Sequence, residues 1–444
     1  MPFDDLDSAF RFIESFTNFE KTTPQSVRDF KKDRMVRLLG LFDRPEKRMK
    51  LYHIAGSKGK GSTGMFLASI LQAAGYKTGL YTSPHVLSYR ERITLAGRFI
   101  EEDLFLSSIN RIYTALKGGN GVVLEGEDSE PTTFELLTLL AFVLFRETGC
   151  THGVIETGIG GRLDATNVID PEACMITPIE LEHTDILGDT IESIAFEKAG
   201  IIKQKKPVFC GYQVPAAEEI ITEKARQRNA PITYLREEIQ GSSIRFDGTA
   251  MEQSLHWRNW GPAVYRLGML GEFQGENAAL AVLAVKKLGL AGDEKIKKGL
   301  LQASLFGRLE IAGEEPPVVL DGAHTPSSLR RLLDSFFTLF PGPGICIFGS
   351  VTGKRIEEMA RIIADRFGYV IVSTPGFFKK SDPRQVFTLV ADQNDNTVFK
   401  PDPSEALQTA LELSCGSRPI LVTGSFYMIA EIKRLYVEKK AKIG

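Results

Sequence analysis

Glycines, lysines and small hydroxyl residues crowd the stretch GSKGKGST at 56–63, between an apolar run at 51–55 and a helix-like one at 63–74. A strand, a glycine loop and a helix start aim backbone N–H groups and the positive end of a helix at an anion. Gly56, Gly59 and Gly61 would let the backbone approach a ligand closely. Lys60 supplies a cation, and Ser62 or Thr63 offers a hydroxyl for Mg2+. The strict phosphate-loop spacing is not met, because Gly61 separates Lys60 from Ser62 and Ile54 stands where a first glycine belongs. The pattern alone leaves two readings open, a phosphate site and a tight strand-to-helix turn, but a turn needs only one glycine.

Three further stretches carry chemistry-bearing types. In VIETGIGGRLDATN (154–167) a strand delivers Glu156 to its C-terminal end, with Arg162 and Asp164 following. A carboxylate near a phosphate loop suits Mg2+. A dinucleotide fingerprint is not completed, because Leu163 occupies the third glycine position. In ITPIELEHTDILGDTIESIAFEKAGII (176–202) His183 follows a strand end, where a lone histidine is more often structural than a ligand. His53, His85, His183 and His324 all read as loop residues. Ile191, Ile194, Ala195, Lys198 and Ile202 recur at helical spacing, so Lys198 lies on the apolar face. It is either a snorkelling stem or an amine of lowered pKa able to take up CO2 as a carbamate, which would reverse its charge and make it a metal ligand. In VVLDGAHTP (318–326) Asp321 and His324 follow a strand, a pattern that also fits a plain helix cap.

The elements that must position these residues alternate. Strands are predicted at 51–55, 78–81, 153–156, 173–176 and 207–211, with helices such as 133–148 and 190–202 between them. That alternation predicts a parallel sheet covered on both faces. Residues 1–48 read as helical, and 231–268 as less regular with short strand-like pieces. The Gly-, Pro- and Glu-rich run at 305–317 reads as a domain boundary. A second α/β unit is predicted to open with a strand at 318–320 and to add strands at 344–348, 369–373 and 420–423.

The chain has 444 residues, is 43% hydrophobic and 25% charged, and carries a formal net charge of −2. This balance gives no reason to expect a nucleic-acid or membrane partner. The N-terminal stretch MPFDDLDSAF has no signal-peptide core, and no apolar run is long enough to span a bilayer. Five cysteines without a CxxC pair suggest neither a disulfide frame nor a zinc site, which points to the reducing cytoplasm.

Together the stretches HIAGSKGKGST, TSPH…RERI, TTFELLTLLAF, ETGIGGRLDATN, LGDTIESIAFEKAGII, ENAAL, GRLE and DGAHTP resemble the folylpolyglutamate synthase and dihydrofolate synthase family of the Mur-ligase superfamily. The resemblance implies an α/β fold: an N-terminal P-loop-type parallel-sheet ATPase domain over 1–304 and a smaller, Rossmann-like C-terminal glutamate-ligase domain over 305–444. It implies ATP and Mg2+ as cofactors and an ATP-dependent carboxylate–amine ligase that adds L-glutamate to a folate, acting as a monomer on small molecules. By that likeness Gly59, Lys60, Gly61 and Ser62 bind ATP phosphates, and Asn277, Arg308 and Asp321 contact the nucleotide. Ser83, Glu156, His183 and a carbamylated Lys198 hold Mg2+. Lys60, Lys198 and His324 take catalytic roles, and Thr132, Thr133, Phe134, Leu163, Asp164 and Ala165 line the pterin side.

The chain departs from the family pattern at Ser57-Lys58 (usually Thr-Asn), Glu182 (usually Asp), Phe306 before Gly307 of GRLE (usually Pro), Thr325 (usually Asn) and the segment KTTPQSVRDF at 21–30. The likeness leaves open whether dihydropteroate is also a substrate. A Mur-type ligase acting on a cell-wall precursor is disfavoured, since only about fifty residues precede the phosphate loop where a separate UDP-binding domain would stand. A nucleotide-dependent binding protein would need the loop but not Lys198 or Asp321.

Overall fold

Short apolar strands and the helices between them build three sheets. The computed structural model describes residues 2–18, 32–118, 130–247, 250–376 and 380–443. The segment at 21–30 lies outside them. The chain divides into two units: residues 1–243, 253–267 and 274–303 form the first, and residues 244–252, 268–273 and 304–444 the second.

The first unit is centred on eight strands: β1 Lys50–Ala55, β2 Thr78–Tyr81, β3 Ile93–Leu95, β4 Arg98–Phe99, β5 His152–Glu156, β6 Ala173–Ile176, β7 Val208–Cys210 and β8 Ile232–Tyr234. Their order is β4-β3-β2-β5-β1-β6-β7-β8. From β2 to β8 every pair is parallel, while β3 and β4 add an antiparallel edge that the sequence reading missed.

Alternation along the strands explains how both faces are covered. Ile54, Leu80 and Val154 share one face and meet Gly64 of the helix Lys60–Ala73. Gly79, on the other face, meets the ring of Phe145 from the helix Thr133–Glu147. Leu51, Tyr81 and Ile155 join that helix in a buried cluster. His53 belongs to this face too, fully buried in β1. The loop placement expected for it is therefore wrong: the apolar run around it demands a strand, and Thr166 Oγ1 satisfies its Nε2 at 2.8 Å.

Residues 231–268, where short strand-like pieces are expected, contain β8 and a three-stranded sheet of β9 Ile239–Asp247, β10 Ala250–Trp257 and β11 Gly261–Leu267, in the order β11-β10-β9. In β11 the exposed Pro262, Val264 and Arg266 alternate with the inward-facing Tyr265 and Leu267.

The second unit holds β12 Glu310–Glu314, β13 Pro317–Leu320, β14 Ile345–Phe348, β15 Tyr369–Val372, β16 Thr397–Phe399 and β17 Ile420–Thr423, in the order β12-β13-β17-β14-β15-β16. All pairs are parallel except β12 with β13. The run at 305–317 is thus not merely a linker. It contributes an edge strand, and the unit opens one strand earlier than the sequence indicated. Among the described residues no helix is long and apolar enough to cross a membrane.

Candidate active site

Strand order decides what meets at the carboxyl ends of the first sheet. Because β5 lies between β2 and β1, the turn after β2 (Ser83), the last residue of β5 (Glu156) and the glycine loop after β1 are neighbours. β6, on the other side of β1, leads into Glu182 and His183.

In the loop, Gly59 is the N-cap of the helix Lys60–Ala73 in a left-handed conformation (φ +84°). A Cβ there would fall 2.1 Å from Asn277 Oδ1, so only glycine fits. Gly56 packs as closely: its Cβ would meet Thr177 Oγ1 at 1.9 Å. The N–H groups of Ser57 and Lys58 are spent on Pro178 O, at 2.9 and 3.3 Å. The first intrahelical bond runs from Thr63 N to Gly59 O (2.8 Å). The helix start therefore leaves the N–H groups of Lys60, Gly61 and Ser62 without intrahelical acceptors, which is an anion-binding geometry. Lys60 Nζ reaches back to Gly56 O (3.0 Å) and stands 3.9 Å from Glu156 Oε1. The Asn277 amide donates to Gln274 Oε1 at 2.9 Å, while its Oδ1 faces the Thr63 hydroxyl at 3.5 Å.

Glu156 is buried and accepts the Ser83 N–H at 3.1 Å. His183 is exposed, with φ +49°, at the start of the short helix Thr184–Leu187. Among the described residues no three His, Cys, Asp or Glu side chains gather as a metal cage. A hard divalent cation here would have to complete its shell with hydroxyl, phosphate and water oxygens, as Mg2+ characteristically does. The Glu156 carboxylate and the Ser83 hydroxyl are oxygen donors suited to it.

Lys198 is almost fully buried, and its ammonium is held between Gly56 O (2.7 Å) and Glu182 Oε1 (2.9 Å). The snorkelling alternative is excluded by that burial. Desolvation, only partly offset by Glu182, brings its pKa down to about 8. Burial pushes Glu182 the other way from its cationic neighbours, but Lys198, Lys60, Lys58 and His183 together hold its carboxyl well below the usual range. Lys58 Nζ lies 3.8 Å from Glu182 Oε2. The longer side chain of Glu182 thus reaches two lysines, one of which is itself a departure from the family pattern.

The trio Glu156, Arg162 and Asp164 is not one cluster. Arg162 pairs with Glu197 (2.8 Å). Asp164 is buried and accepts from Gly158 N, Ile159 N, Thr166 N and Thr166 Oγ1 at 2.5–3.1 Å, so it braces its own loop. Burial raises its pKa against those bonds. Thr132 caps the helix Thr133–Glu147 in a reciprocal box with Glu135, and Thr133 Oγ1 donates to Ile13 O (3.0 Å). Phe134 lies 5.8 Å from the Tyr81 ring. Leu163 is half-buried and Ala165 is buried at the start of the turn Ala165–Val168. The buried pair of Arg34 with Glu135 (2.8 Å) was missed, and no spacing in the chain announces it.

In the second unit β13 and β17 are parallel neighbours, so the loop Asp321–His324 sits beside the turn that follows β17. Asp321 is buried and accepts from Leu309 N and Ala323 N, both at 2.8 Å. Burial raises its pKa, opposed by Arg308 and these bonds. His324 Nδ1 donates to Gly322 O (2.8 Å), which leaves Nε2 as the acceptor of the neutral ring. Thr325 caps the helix Pro326–Leu339, so the cap reading holds for Thr325. Arg308 lies over the ring of Phe426, 4.4 Å from its centroid. Phe426 was not singled out from the sequence, where nothing but its place after a strand marks it.

Residues 54–285 match the Mur ligase middle domain and residues 307–426 the Mur ligase glutamate ligase domain. A dihydrofolate synthase/folylpolyglutamate synthase of Bacillus subtilis is 32% identical over 415 residues, covering 90% of this chain and 94% of that one. A Mycobacterium tuberculosis folylpolyglutamate synthase structure, complexed with ADP and AMPPCP, superposes with a TM-score of 0.84 at 26% identity, over 97% of this chain and 98% of that one. Escherichia coli FolC in complex with DHPP and ADP gives a TM-score of 0.83 at 26% identity, over 98% and 99%. With the two Mur ligase domains in sequence and this likeness along nearly its whole length, the chain belongs to the folylpolyglutamate synthase/dihydrofolate synthase family of ATP-dependent ligases.

Proposed function

We propose that the protein joins L-glutamate to the carboxylate of a folate at the expense of ATP, by way of an acyl phosphate. A free carboxylate is a poor acyl donor because oxide is a poor leaving group. Phosphorylation makes the leaving group phosphate, which the glutamate amine then displaces. The observation that carries this reading is the convergence of an anion-binding helix start, Lys60, Glu156 and the buried Lys198 around one strand end.

Lys60 and the N–H groups of Lys60, Gly61 and Ser62 receive the phosphates, and Gly59 allows their close approach. Asn277, Arg308 and Asp321 contact the nucleotide. Ser83, Glu156 and His183 would hold Mg2+, with Lys198 as a carbamate joining them; the ion supplies charge neutralisation on the transferred phosphoryl group. His324, whose Nδ1 donates to Gly322 O, would in its neutral form present Nε2 to take a proton from the incoming ammonium. Thr132, Thr133, Phe134, Leu163, Asp164 and Ala165 frame the pterin, with Asp164 shaping the loop from beneath. We assign ATP binding to residues 1–304 and glutamate ligation to 305–444. The enzyme works as a monomer in the cytoplasm on small molecules, a placement that suits five free cysteines.

The name of the Bacillus subtilis relative favours a second activity, conversion of dihydropteroate to dihydrofolate. Both reactions end on a carboxylate accepting glutamate, so one site serves both. The test is glutamate-dependent ADP release with dihydropteroate, tetrahydrofolates or UDP-muramyl precursors as sole acceptor. Release with tetrahydrofolate supports the ligase, and release with dihydropteroate adds the second activity. ATP turnover indifferent to any folate would overturn the reading, and release with the muramyl precursor alone would replace it.

A further inference from the structure

Phe426 has no part in the roles assigned above, yet three features of the second unit meet on its ring. The first is Arg308, whose guanidinium carbon lies 4.4 Å from the ring centroid. The second is His324, whose imidazole centroid lies 5.9 Å away with the planes tilted by 59°. The third is Gly322, between Asp321 and His324: a Cβ there would fall 2.5–2.7 Å from Phe426 ring atoms, so the ring presses directly on that backbone.

The fold sets this contact. β17 runs parallel to β13, and Gly424 N donates to Ala323 O at 3.0 Å, tying the two strand ends together. Ser425 then caps the helix Phe426–Ile443 through its hydroxyl, which accepts from Met428 N at 3.0 Å. Phe426 is thereby held at the first helical position, half-buried, with its ring over Gly322 rather than in the apolar core.

We propose that Phe426 is a positioning residue for the nucleotide: its ring face holds the Arg308 guanidinium and steadies the His324 loop, so that both are set before ATP arrives. This rests on the assignment of Arg308 to nucleotide contact. Arg308 donates from one terminal nitrogen to Gly307 O at 3.3 Å, and an aromatic face beneath a guanidinium fixes the plane in which its fork of donors meets an oxyanion. The guanidinium also loses less side-chain freedom when that anion binds. An aliphatic side chain of similar volume would fill the space but offer no electron-rich face.

The experiment compares Phe426→Leu, Phe426→Tyr, Arg308→Ala and the double variant Phe426→Leu/Arg308→Ala, all in the full chain. ATP with Mg2+ is titrated directly by calorimetry, KM and kcat come from ADP release, and thermal unfolding is followed in parallel. Phe426→Leu should weaken ATP about fivefold, a loss of the size of one partly exposed cation–π contact. Phe426→Tyr should bind like the parent protein, and the leucine substitution should add nothing once Arg308 is gone. A folded Phe426→Leu variant with unchanged ATP affinity and KM would overturn the proposal. So would a loss of equal size in the Arg308→Ala background, or a tyrosine variant as impaired as leucine. The calorimetric arm needs no folate, so absence of glutamate-dependent turnover in the parent protein would count against the ligase reading and not against this one.

Discussion

Replacing Gly59 by alanine should damage nucleotide binding far more than it damages the fold, and a second glycine of the same helix provides the comparison. Gly59 has φ +84°, and Gly75, just beyond the other end of Lys60–Ala73, has φ +97°. Either substitution places an L side chain in a left-handed conformation, at roughly 1–2 kcal/mol. At Gly75 nothing lies within 4 Å of the new Cβ, so the cost ends there. At Gly59 the new Cβ would sit 2.1 Å from Asn277 Oδ1. Either the loop or Asn277 must move by more than an ångström, and the Asn277–Gln274 bond (2.9 Å, buried) is the contact that breaks. A buried donor left without its acceptor costs about 1–3 kcal/mol. If that is felt in the loop's phosphate-binding form, KM for ATP rises about 5- to 150-fold over the Gly75→Ala value. Thermal unfolding and ATP-dependent ADP release measured on both variants decide it. Equal KM values for the two would refute the reasoning, since the backbone penalty is common to both.

Other outcomes follow from the same geometry. Glu156→Gln and His183→Ala should each lower glutamate-dependent ADP release at least about a hundredfold while leaving thermal unfolding nearly unchanged, as expected when metal-assisted charge neutralisation is lost. Near-normal turnover in either variant at saturating Mg2+ removes that residue from the site. Lys198→Ala should be nearly inactive and partly rescued by formate or acetate. A fully active variant, or an unmodified ammonium at Lys198 in a crystal with Mg2+ and ATP bound, argues against the carbamate. His53 is buried neutral, and desolvation together with Lys203 and Lys32 holds its pKa well below the ordinary 6.5. The unfolded chain therefore takes up a proton that the folded one refuses, so stability is full above pH 6.5 and falls below it, by up to about 1.4 kcal/mol per pH unit. Urea unfolding at about pH 7.5 and about pH 5 should show a smaller acid loss for His53→Gln than for the parent.

What the sequence determined by itself is local. An apolar run, three glycines and a helix start announce the loop at 56–63 because strand, turn and helix preferences act over a few residues. The helix starts read at 133 and 190 fall within a residue of where Thr132 and Thr190 cap them, and Thr325 caps the third, for the same reason: a cap bonds its own first turn. The periodicity that put Lys198 on an apolar face was equally local, and it told which way the side chain points but not what it meets.

Partners are decided at a distance. That Glu182 and Gly56 O hold the Lys198 ammonium depends on β1 and β6 lying side by side. That Ser83 meets Glu156 depends on β5 coming between β2 and β1, although β2 follows β1 in the chain. Arg162 went to Glu197 and not to the carboxylates nearest in sequence, because the helix Ile191–Ala199 passes beside its loop. The strand Glu310–Glu314 was hidden in a Gly-, Pro- and Glu-rich run, since an edge strand takes its conformation from the neighbour it pairs with, here β13. Strand order, and with it every contact across the sheet, is a property of the whole packed chain, because long-range pairing is selected by total burial and not by the residues that pair.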